Sequence, residues 1–235
     1  MNRSSVFCAT LFLSMSVFAQ SAGDVDITAE PHHHQVLQNE YVRVFQVEVP
    51  PHQATLLHRH SHDYVYVTLG DCQLENDVAG KPPVMLKLKD GQTNFTPGNF
   101  AHLVKVPVDV PFRNITVELL QDEKNRDVPE SRWDQGRGLD ILSNGTQDVL
   151  FIKDDVRVSD VQLQPGAMLP KHRHPGPQLL VAITDLELRT SPVGQTSTPI
   201  EMKAGEVKWI PAGPAHTLMN LGKKNARAIT LEFRK

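Results

Sequence analysis

The chain has 235 residues, with 27 acidic and 24 basic side chains and a formal net charge of −3 at pH 7. Without an excess of Lys and Arg it lacks the basic surface that nucleic-acid-binding proteins use, so we expect no nucleic-acid partner. Two cysteines exclude a disulfide framework as the basis of the fold.

The first residues have the pattern of a secretory signal peptide. One basic residue is followed by an apolar run over 6–18, and small residues then stand at the cleavage positions. Nothing later approaches the about 20 apolar residues that a membrane-spanning helix needs. We therefore expect residues 1–19 to be removed and the mature protein to be secreted or periplasmic, with no membrane span. Cys8 lies in that leader, so Cys72 has no disulfide partner and is predicted to be a small buried apolar residue.

Strand signals dominate the remaining sequence. Short β-branched or alternating segments are separated by turn residues such as Pro50-Pro51 and Asp90-Gly91, and no stretch shows a helical apolar stripe. The predicted strands are 41–49, 64–69, 84–88, 115–120, 156–163, 179–188, 199–202 and 229–233. Many short strands at regular spacing indicate an all-β sandwich or barrel.

Two segments stand apart from the strands. His32-His33-His34 precedes the first of them, and we favour a solvated strand edge for this triplet, with metal attraction as the alternative. A charged stretch over 122–138 is predicted to be an inter-domain linker, with Trp133 packed against a barrel. The mature chain then divides into domains at 20–121 and 139–235, sizes that suit two compact units.

One histidine pattern occurs twice at a single offset. His58-Arg59-His60 recurs as His172-Arg173-His174, and His102 recurs as His216, each separated by 114 positions (172 − 58 and 216 − 102). Other residues share the offset: Val42-Arg43-Val44 with Val156-Arg157-Val158, Gly91 with Gly205, and Ile115-Thr116-Val117-Glu118 with Ile229-Thr230-Leu231-Glu232. Self-similarity that runs without a gap over about 40–121 predicts a duplicated domain.

The repeated histidines have the spacing of metal ligands. Residues two apart on a strand point to the same face, so His58 and His60 can converge on one ion, as can His172 and His174. The third ligands, His102 and His216, follow 42 positions later in both copies (102 − 60 and 216 − 174) and must come from another strand. Imidazole suits divalent Fe, Mn, Zn, Ni and Cu, so these residues do not select the metal. The alternative is that the histidines are kept for packing.

The motifs resemble those of the cupin superfamily, and specifically of two-domain bicupins of the quercetin-dioxygenase-like or cupin-2 type. The segment from Gly166 to His174 fits the opening of the first cupin motif. The second motif is matched in full by Gly205, Pro211, Gly213, His216 and Asn220. The resemblance implies two tandem cupin barrels, that is, double-stranded β-helix or jelly-roll domains, each with a metal pocket.

The first copy departs from the cupin pattern at three backbone positions. His52 replaces the glycine found at Gly166, Val106 stands where Asn220 does, and Asn99 stands where Gly213 does. Asn tolerates left-handed backbone angles, so the last change is acceptable. We therefore predict that the second half holds the better-formed site.

Both copies also depart from the pattern at a ligand. Where the family has a glutamate, this chain has Tyr64 and Gln178, which we assign to orienting the substrate or a water molecule. His62 is a candidate fourth ligand, although a position on the pocket rim or in a turn is the interpretation we favour.

The missing glutamate bears on function. Three neutral imidazoles leave a divalent ion with its full charge, which favours an anionic chelating ligand such as a phenolic, enolate or keto acid. We expect a metal-binding bicupin that acts as a dioxygenase-like oxidoreductase on such a small molecule. The alternatives are a non-catalytic metal- or ligand-binding protein and an isomerase or lyase of sugar derivatives. The duplication also predicts an intramolecular barrel pair, with Val67 and Val181 as contact candidates and a homo-oligomer as a further possibility.

Overall fold

The structure is a computed structural model that describes residues 23–121, 144–153, 156–174 and 176–234. The expected leader at 1–19 lies outside the described residues, as do the linker at 122–138 and Trp133 within it, and these three stay predictions. The domain limits built on them also stay predictions. Among the helices of the described ranges, none is long and apolar enough to cross a membrane.

The N-terminal barrel consists of two five-stranded sheets with the orders β1-β4-β9-β6-β7 and β2-β3-β10-β5-β8. A single 3-10 turn, Ile27–Ala29, follows β1 and is capped by the Asp26 side chain. The strands are β1 Val25–Asp26, β2 His33–Gln38, β3 Val42–Val49, β4 His58–His60, β5 Tyr64–Thr68, β6 Cys72–Val78, β7 Val84–Leu88, β8 Thr93–Thr96, β9 Phe100–Lys105 and β10 Phe112–Leu119.

The C-terminal barrel repeats this arrangement with sheets of order β11-β12-β19-β14-β17 and β13-β18-β15-β16. Its strands are β11 Gly145–Lys153, β12 Val156–Leu163, β13 Met168–His172, β14 Gln178–Ala182, β15 Leu186–Pro192, β16 Thr198–Met202, β17 Val207–Ile210, β18 His216–Asn220 and β19 Ala226–Phe233. Each barrel encloses its own buried apolar cluster between its two sheets.

The duplication reaches further toward the N-terminus than the sequence comparison showed. In β2, His33 pairs with Val47 of β3, and a bulge follows between Gln35 and Leu37. In β11, Gln147 pairs with Val161 of β12, and a bulge again follows two residues later. Position 147 is 33 plus the same offset of 114, so His33 and Gln147 are structural counterparts.

The two barrels pack against each other through one shared apolar cluster. Along β10, Ile115 and Val117 face this cluster, whereas Asn114 and Thr116 face the interior of their own barrel, as the two-residue period of a strand requires. The cluster contains Val42, Val44, Val65, Val67, Ile115, Val117 and Leu119 from the first half, and Val156, Val158, Leu179, Val181, Ile183, Ile229, Leu231 and Phe233 from the second. Val67 and Val181, the contact candidates, are thus both buried there.

Polar contacts at the edge of this interface connect the halves. Arg227 donates to the carbonyl of Asp90 at 3.1 Å and pairs with Asp160 at 2.8 Å. A Cβ at Gly91 would lie 2.6 Å from the Arg227 guanidinium, and the φ of Gly91 is +72°. The backbone conformation therefore favours glycine there, and a larger residue would also displace the Arg227 guanidinium.

Some predicted elements match the structure and one does not. The strands predicted at 84–88 and 156–163 have the observed bounds. The single strand predicted at 179–188 is wrong, because β14 ends at Ala182 and β15 begins at Leu186. Ile183 and Thr184 turn away and donate to the carbonyl of Arg227, which a continuous apolar run does not reveal. Cys72 is buried in the N-terminal core, as predicted, and burial raises the pKa of its thiol to about 11.

Candidate metal centres

The three histidines predicted in the N-terminal barrel converge inside it. His58 and His102 lie directly opposite each other on the antiparallel strands β4 and β9, and His60 lies two residues further along β4. All three are buried, with exposed fractions of 1% for His58, 2% for His60 and 8% for His102. The Nε2 atoms of His60 and His102 are 3.1 Å apart. Two nitrogens bound to one ion at about 2.1 Å lie about 3.0–3.4 Å apart, so this spacing suits a shared ligand ion.

Hydrogen bonds fix which ring nitrogen of His58 and of His102 faces the pocket. His58 Nδ1 donates to the carbonyl of Leu56 at 2.9 Å, and His102 Nδ1 lies 2.7 Å from Asn76 Oδ1. An oxygen acceptor at Nδ1 holds the proton there and leaves Nε2 with a free electron pair. The bond from Nδ1 to an oxygen is the arrangement that metal-bound histidines commonly show.

Burial keeps these rings neutral. It lowers the pKa of His58 to about 4 and that of His102 to about 3, and neighbouring imidazoles lower both values further. The pKa of His60 is lowered for the same two reasons. A neutral imidazole is the form that binds a metal ion, so the three rings are ready to coordinate at neutral pH.

The C-terminal barrel brings together the matching set. His172 and His216 lie opposite each other on β13 and β18, and His172 Nδ1 lies 2.7 Å from the carbonyl of Pro170, the counterpart of Leu56. The ring centroids of His172 and His216 are 4.5 Å apart, as are those of their N-terminal counterparts. The ligand nitrogens of His172, His174 and His216 all lie within 4.8 Å of one another. These rings are half-buried, so this cluster is the more accessible of the two.

The chemistry of both clusters fits a divalent transition metal. Within the described residues, buried His58 Nε2 has no hydrogen-bond partner. A buried polar atom left unpaired costs about 1–3 kcal/mol unless something binds it. Imidazole ligands alone do not select among Fe, Mn, Zn, Ni and Cu.

The sequence analysis missed a carboxylate behind each cluster. Glu118 and Glu232, on the last strand of each barrel, are 0% and 2% exposed. Glu118 Oε1 lies 3.9 Å from His60 Nδ1, and Glu232 Oε1 lies 3.3 Å from His174 Nδ1. The family's glutamate position is therefore still held by Tyr64 and Gln178, and Glu118 and Glu232 stand behind a histidine without lining either cavity.

An arginine neutralises each of these carboxylates. Arg43 binds Glu118 at 2.6 Å, and Arg157 binds Glu232 through its guanidinium. Burial raises the pKa of Glu232, but the contact with His174 and the charge of Arg157 outweigh burial and lower it below its usual value. Each pair carries no net charge, so a bound ion would keep an excess of positive charge.

Tyr64 and Gln178 lie beside these carboxylates. Tyr64 is opposite Glu118 on paired strands, and Gln178 is opposite Glu232. The Tyr64 ring stacks on His60 at a centroid distance of 4.1 Å, and its hydroxyl is hydrogen-bonded to Thr96. Both side chains line the cavities next to the histidines. Their assignment to orienting a substrate or water stays a prediction.

The histidine triplet before the first strands contains a residue that the sequence analysis placed wrongly. His33 is not at a solvated edge, because its side chain is 5% exposed and its ring centroid lies 4.7 Å from that of His58. The ligand nitrogens of His33, His58 and His60 lie within 4.8 Å of one another. His62, the fourth-ligand candidate, belongs to neither histidine group found among the described residues.

The substitutions in the first copy of the repeat are visible in the backbone and in its hydrogen bonds. Asn99 has a φ of +62°, and His52 has a φ of +59° where its counterpart Gly166 has +75°. Asn220 is buried and binds the carbonyls of Leu163 and Lys224, a network that its counterpart Val106 cannot make. Burial, however, favours the N-terminal cluster, so the ranking of the two sites stays a prediction about metal content.

Each cluster opens into a cavity. The C-terminal cavity has a volume of about 550 Å³ and the N-terminal one about 410 Å³. Branched apolar side chains line part of the C-terminal cavity, namely Val161, Leu163, Leu169, Leu180, Leu186, Leu188, Ile200, Ile210 and Leu218. Both volumes suit a small molecule.

No protein-family model matches the sequence, and no curated protein matches it. Solved structures do share its fold. Oxalate decarboxylase from Bacillus subtilis is 12% identical, with a TM-score of 0.60 over 83% of this chain and 68% of that chain. A cupin 2 conserved barrel domain protein from Leptotrichia buccalis is 13% identical, with a TM-score of 0.53 over 86% and 88%. A variant of salicylate 1,2-dioxygenase from Pseudoaminobacter salicylatoxidans, in complex with gentisate, is 11% identical, with a TM-score of 0.59 over 83% and 69%.

These similarities establish the architecture. The chain shares the all-β, two-barrel cupin fold of these structures, as its motifs predicted.

Proposed function

We propose that this bicupin binds a divalent transition metal in its C-terminal barrel and uses it, as a dioxygenase-like enzyme, on a small anionic chelating molecule. The observation that carries the proposal is the accessible cluster of His172, His174 and His216, which lines a cavity of about 550 Å³. Three protein ligands leave coordination positions open, which is typical of catalytic rather than structural metal sites.

The charges around this cavity favour an anion. Its described lining residues include Lys208 and Arg157 and no acidic side chain, and because Glu232 balances the charge of Arg157, Lys208 supplies the net positive charge. Lys208 pairs with Leu180 across β14 and β17, and both side chains line the cavity, where Lys208 is also exposed to solvent. Its counterpart in the N-terminal barrel is Asn94, which donates to the Tyr66 hydroxyl and carries no charge. At this register the C-terminal cavity offers a lysine to a substrate carboxylate or phenolate where the other barrel has an amide, and the N-terminal cavity has its own lysine, Lys81, at a different position of its wall.

The chain's own groups would divide the work as follows. Lys208 binds the anionic end of the substrate, and the Gln178 amide hydrogen-bonds an oxygen of the substrate beside the ion. The apolar wall excludes water and strengthens these interactions. A divalent ion held by the three histidines supplies Lewis acidity and a template for substrate and dioxygen. Glu232 lies behind His174 and orients that ring.

The fold comparison supports this class of substrate without establishing it. The salicylate 1,2-dioxygenase with the same fold was solved with gentisate, a small aromatic carboxylate. Oxalate decarboxylase, which also shares the fold, acts on a small dicarboxylate, as its name states.

Oxygen consumption tests the proposal. Purified chain would be loaded with Fe²⁺, Mn²⁺ or Cu²⁺ and supplied with a panel of catechols, hydroxybenzoates, enols and keto acids. We expect uptake of dioxygen with at least one member, loss of uptake in His216→Ala, and retention in His102→Ala. Absence of turnover across all metals and substrates would contradict the enzymatic proposal.

A matched pair of lysine variants tests the role of charge. Lys208→Asn places at this position the residue found at its counterpart, Asn94. We expect it to raise the KM for anionic substrates about tenfold or more, because it removes a charge-assisted hydrogen bond. Lys203→Asn removes an exposed lysine that pairs with Asp185 outside the cavity, and it should leave KM unchanged. If substrates bind to the His216-dependent site without turnover, the chain is instead a ligand-binding protein.

We also propose that the protein is exported. The N-terminal basic residue, the apolar run over 6–18 and the small residues that follow support this proposal. Mass spectrometry of protein from the periplasmic or extracellular fraction should give a chain that begins at residue 20.

A further inference from the structure

His33 is delivered to the N-terminal histidine cluster by a strand outside the predicted motif. β2 is the edge strand of the sheet β2-β3-β10-β5-β8. The backbone of His33 is partly exposed, whereas its imidazole is buried. His33 Nδ1 lies 2.5 Å from Glu30 Oε2. The carboxylate holds the proton on Nδ1, so Nε2 presents its electron pair to the cluster.

Glu30 is buried and is held in place by further hydrogen bonds. The residue is 1% exposed, and its carboxylate also accepts hydrogen bonds from the backbone N–H groups of His32, at 2.9 Å, and Leu56, at 3.2 Å. The Leu56 carbonyl in turn accepts from His58 Nδ1. Glu30 thus orients His33 directly and is linked through one residue to His58. A buried carboxylate that accepts from an imidazole is the arrangement that supports metal-bound histidines.

The geometry brings His33 within reach of the ion's position. Its ligand nitrogen and those of His58 and His60 lie within 4.8 Å of one another. Two nitrogens bound to the same ion at about 2.1 Å are at most about 4.2 Å apart, so small ring rotations suffice. His102 is not a member of that mutual group, but its Nε2 lies 3.1 Å from His60 Nε2, next to the group.

The C-terminal barrel lacks this feature. The counterpart of His33 is Gln147, at the same strand register, and the counterpart of Glu30 is Asn144, both 114 positions later. Gln147 also lines its cavity, but an amide is a weaker ligand for transition metals than imidazole. The two barrels therefore differ by one imidazole and one buried carboxylate.

From these observations we infer that His33 is a fourth protein ligand in the N-terminal barrel, oriented by Glu30. The N-terminal barrel then holds a tightly bound ion, whereas the ion in the C-terminal barrel keeps an open coordination position. The inference rests on metal binding by the chain, part of the proposed function, but it concerns the other barrel. A fourth ligand fills a position that a substrate would otherwise take. The buried Glu30 carboxylate also reduces the excess positive charge, which weakens attraction for an anionic substrate at this site. The N-terminal ion would serve stability.

Zinc affinity of the full chain tests the assignment. In the His216→Ala background, only the N-terminal site should remain, and competition with a chromophoric chelator measures its dissociation constant. We expect His33→Gln, which places there the residue found at 147, to weaken Zn²⁺ binding about 10- to 100-fold, and Glu30→Gln to weaken it less. His34→Gln is the matched control, because its side chain is exposed, and it should change nothing.

A spectroscopic readout separates a ligand from a merely structural residue. The visible absorption of Co²⁺ at the N-terminal site should change in His33→Gln, because the number of imidazoles on the ion falls from four to three. An unchanged spectrum and an affinity within twofold of the parent would overturn the inference. So would absence of metal in the His216→Ala protein. Metal binding that persists in His102→Ala would still leave the proposed C-terminal function standing.

A reciprocal variant guards against misfolding of His33→Gln. Gln147→His, in the His102→Ala background, adds the fourth imidazole to the C-terminal barrel at the equivalent register. We expect tighter Zn²⁺ binding there by about tenfold or more, together with loss of oxygen uptake if the open position is filled. Unchanged zinc affinity would contradict the inference, since position 147 would then not reach the ion.

Discussion

Replacing Glu232 with glutamine should weaken both the stability of the chain and metal binding in the C-terminal barrel. The carboxylate is buried between two partners, the Arg157 guanidinium and the Nδ1 atom of His174 at 3.3 Å. Glutamine keeps the shape and removes the charge, which leaves Arg157 as an uncompensated cation in a buried position. The perturbation therefore tests one side chain that acts on two neighbours.

The magnitude follows from the burial of the pair. Removing one partner of a buried ion pair costs about 3–5 kcal/mol. We expect the lower end, about 3 kcal/mol, because glutamine still accepts one hydrogen bond from Arg157. For a cooperative unit of about 200 residues, that loss corresponds to a decrease of about 6–12 °C in Tm. Loss of the partner of a ligand histidine should also lower metal affinity about 10- to 100-fold.

Two measurements distinguish the two consequences. Urea unfolding of metal-free protein gives the change in stability, and chelator competition in the His102→Ala background gives the affinity of the C-terminal site. Glu187→Gln is the matched control, since Glu187 is an exposed glutamate of the same barrel. A variant that loses stability but binds metal normally would refute the claim that Glu232 orients His174. Unchanged stability would refute the assigned ion pair.

Three other expectations concern stability alone. His52→Gly should raise Tm, because glycine adopts the left-handed φ of +59° without the strain that a side chain causes, which stabilises the fold by about 1 kcal/mol. A lower Tm would contradict this. In metal-free protein, His58 and His102 titrate in the folded state at about 4 and about 3, against 6.5 when unfolded, so the unfolded state binds more protons as pH falls. Unfolding free energy should therefore decrease below pH 6.5, by about 1.4 kcal/mol per pH unit for each ring until its folded pKa is reached, and a flat urea-denaturation profile would refute this. Asn220→Val places there the residue found at its counterpart, Val106. It should lower the free energy of unfolding in urea by about 3 kcal/mol, because it breaks three hydrogen bonds of 2.9 Å. A loss under about 1 kcal/mol would show that the network is dispensable.

The features predictable from sequence are those set by spacing along one strand or by the repeat. His58 and His60 converge because alternate residues on a strand share a face. The 114-residue offset predicts the matching cluster in the second barrel, although there β13 ends at His172 and His174 lies just beyond it. The outward faces of Val67 and Val181 follow from the same period. Both kinds of argument use only distances along the chain.

The features that were missed depend on which strands pair. Arg43, Glu118 and Tyr64 form one row across three neighbouring strands, and only the pairing of these strands places them side by side. A charged residue within an otherwise apolar strand, repeated at Glu232 together with Arg157, was the available signal. His33 gave no such signal, because its counterpart is a glutamine and its neighbours are also histidines.

The apolar cluster shared by the two barrels couples their stabilities. Its members are fully or almost fully buried, so separating the halves would expose one face of each to water. Neither half can then lose its structure without destabilising the other, and an ion held by either one contributes its binding free energy to the whole molecule. When metal is scarce, loss of the ion from one barrel would accordingly speed degradation of the entire chain, including the barrel that kept its own ion.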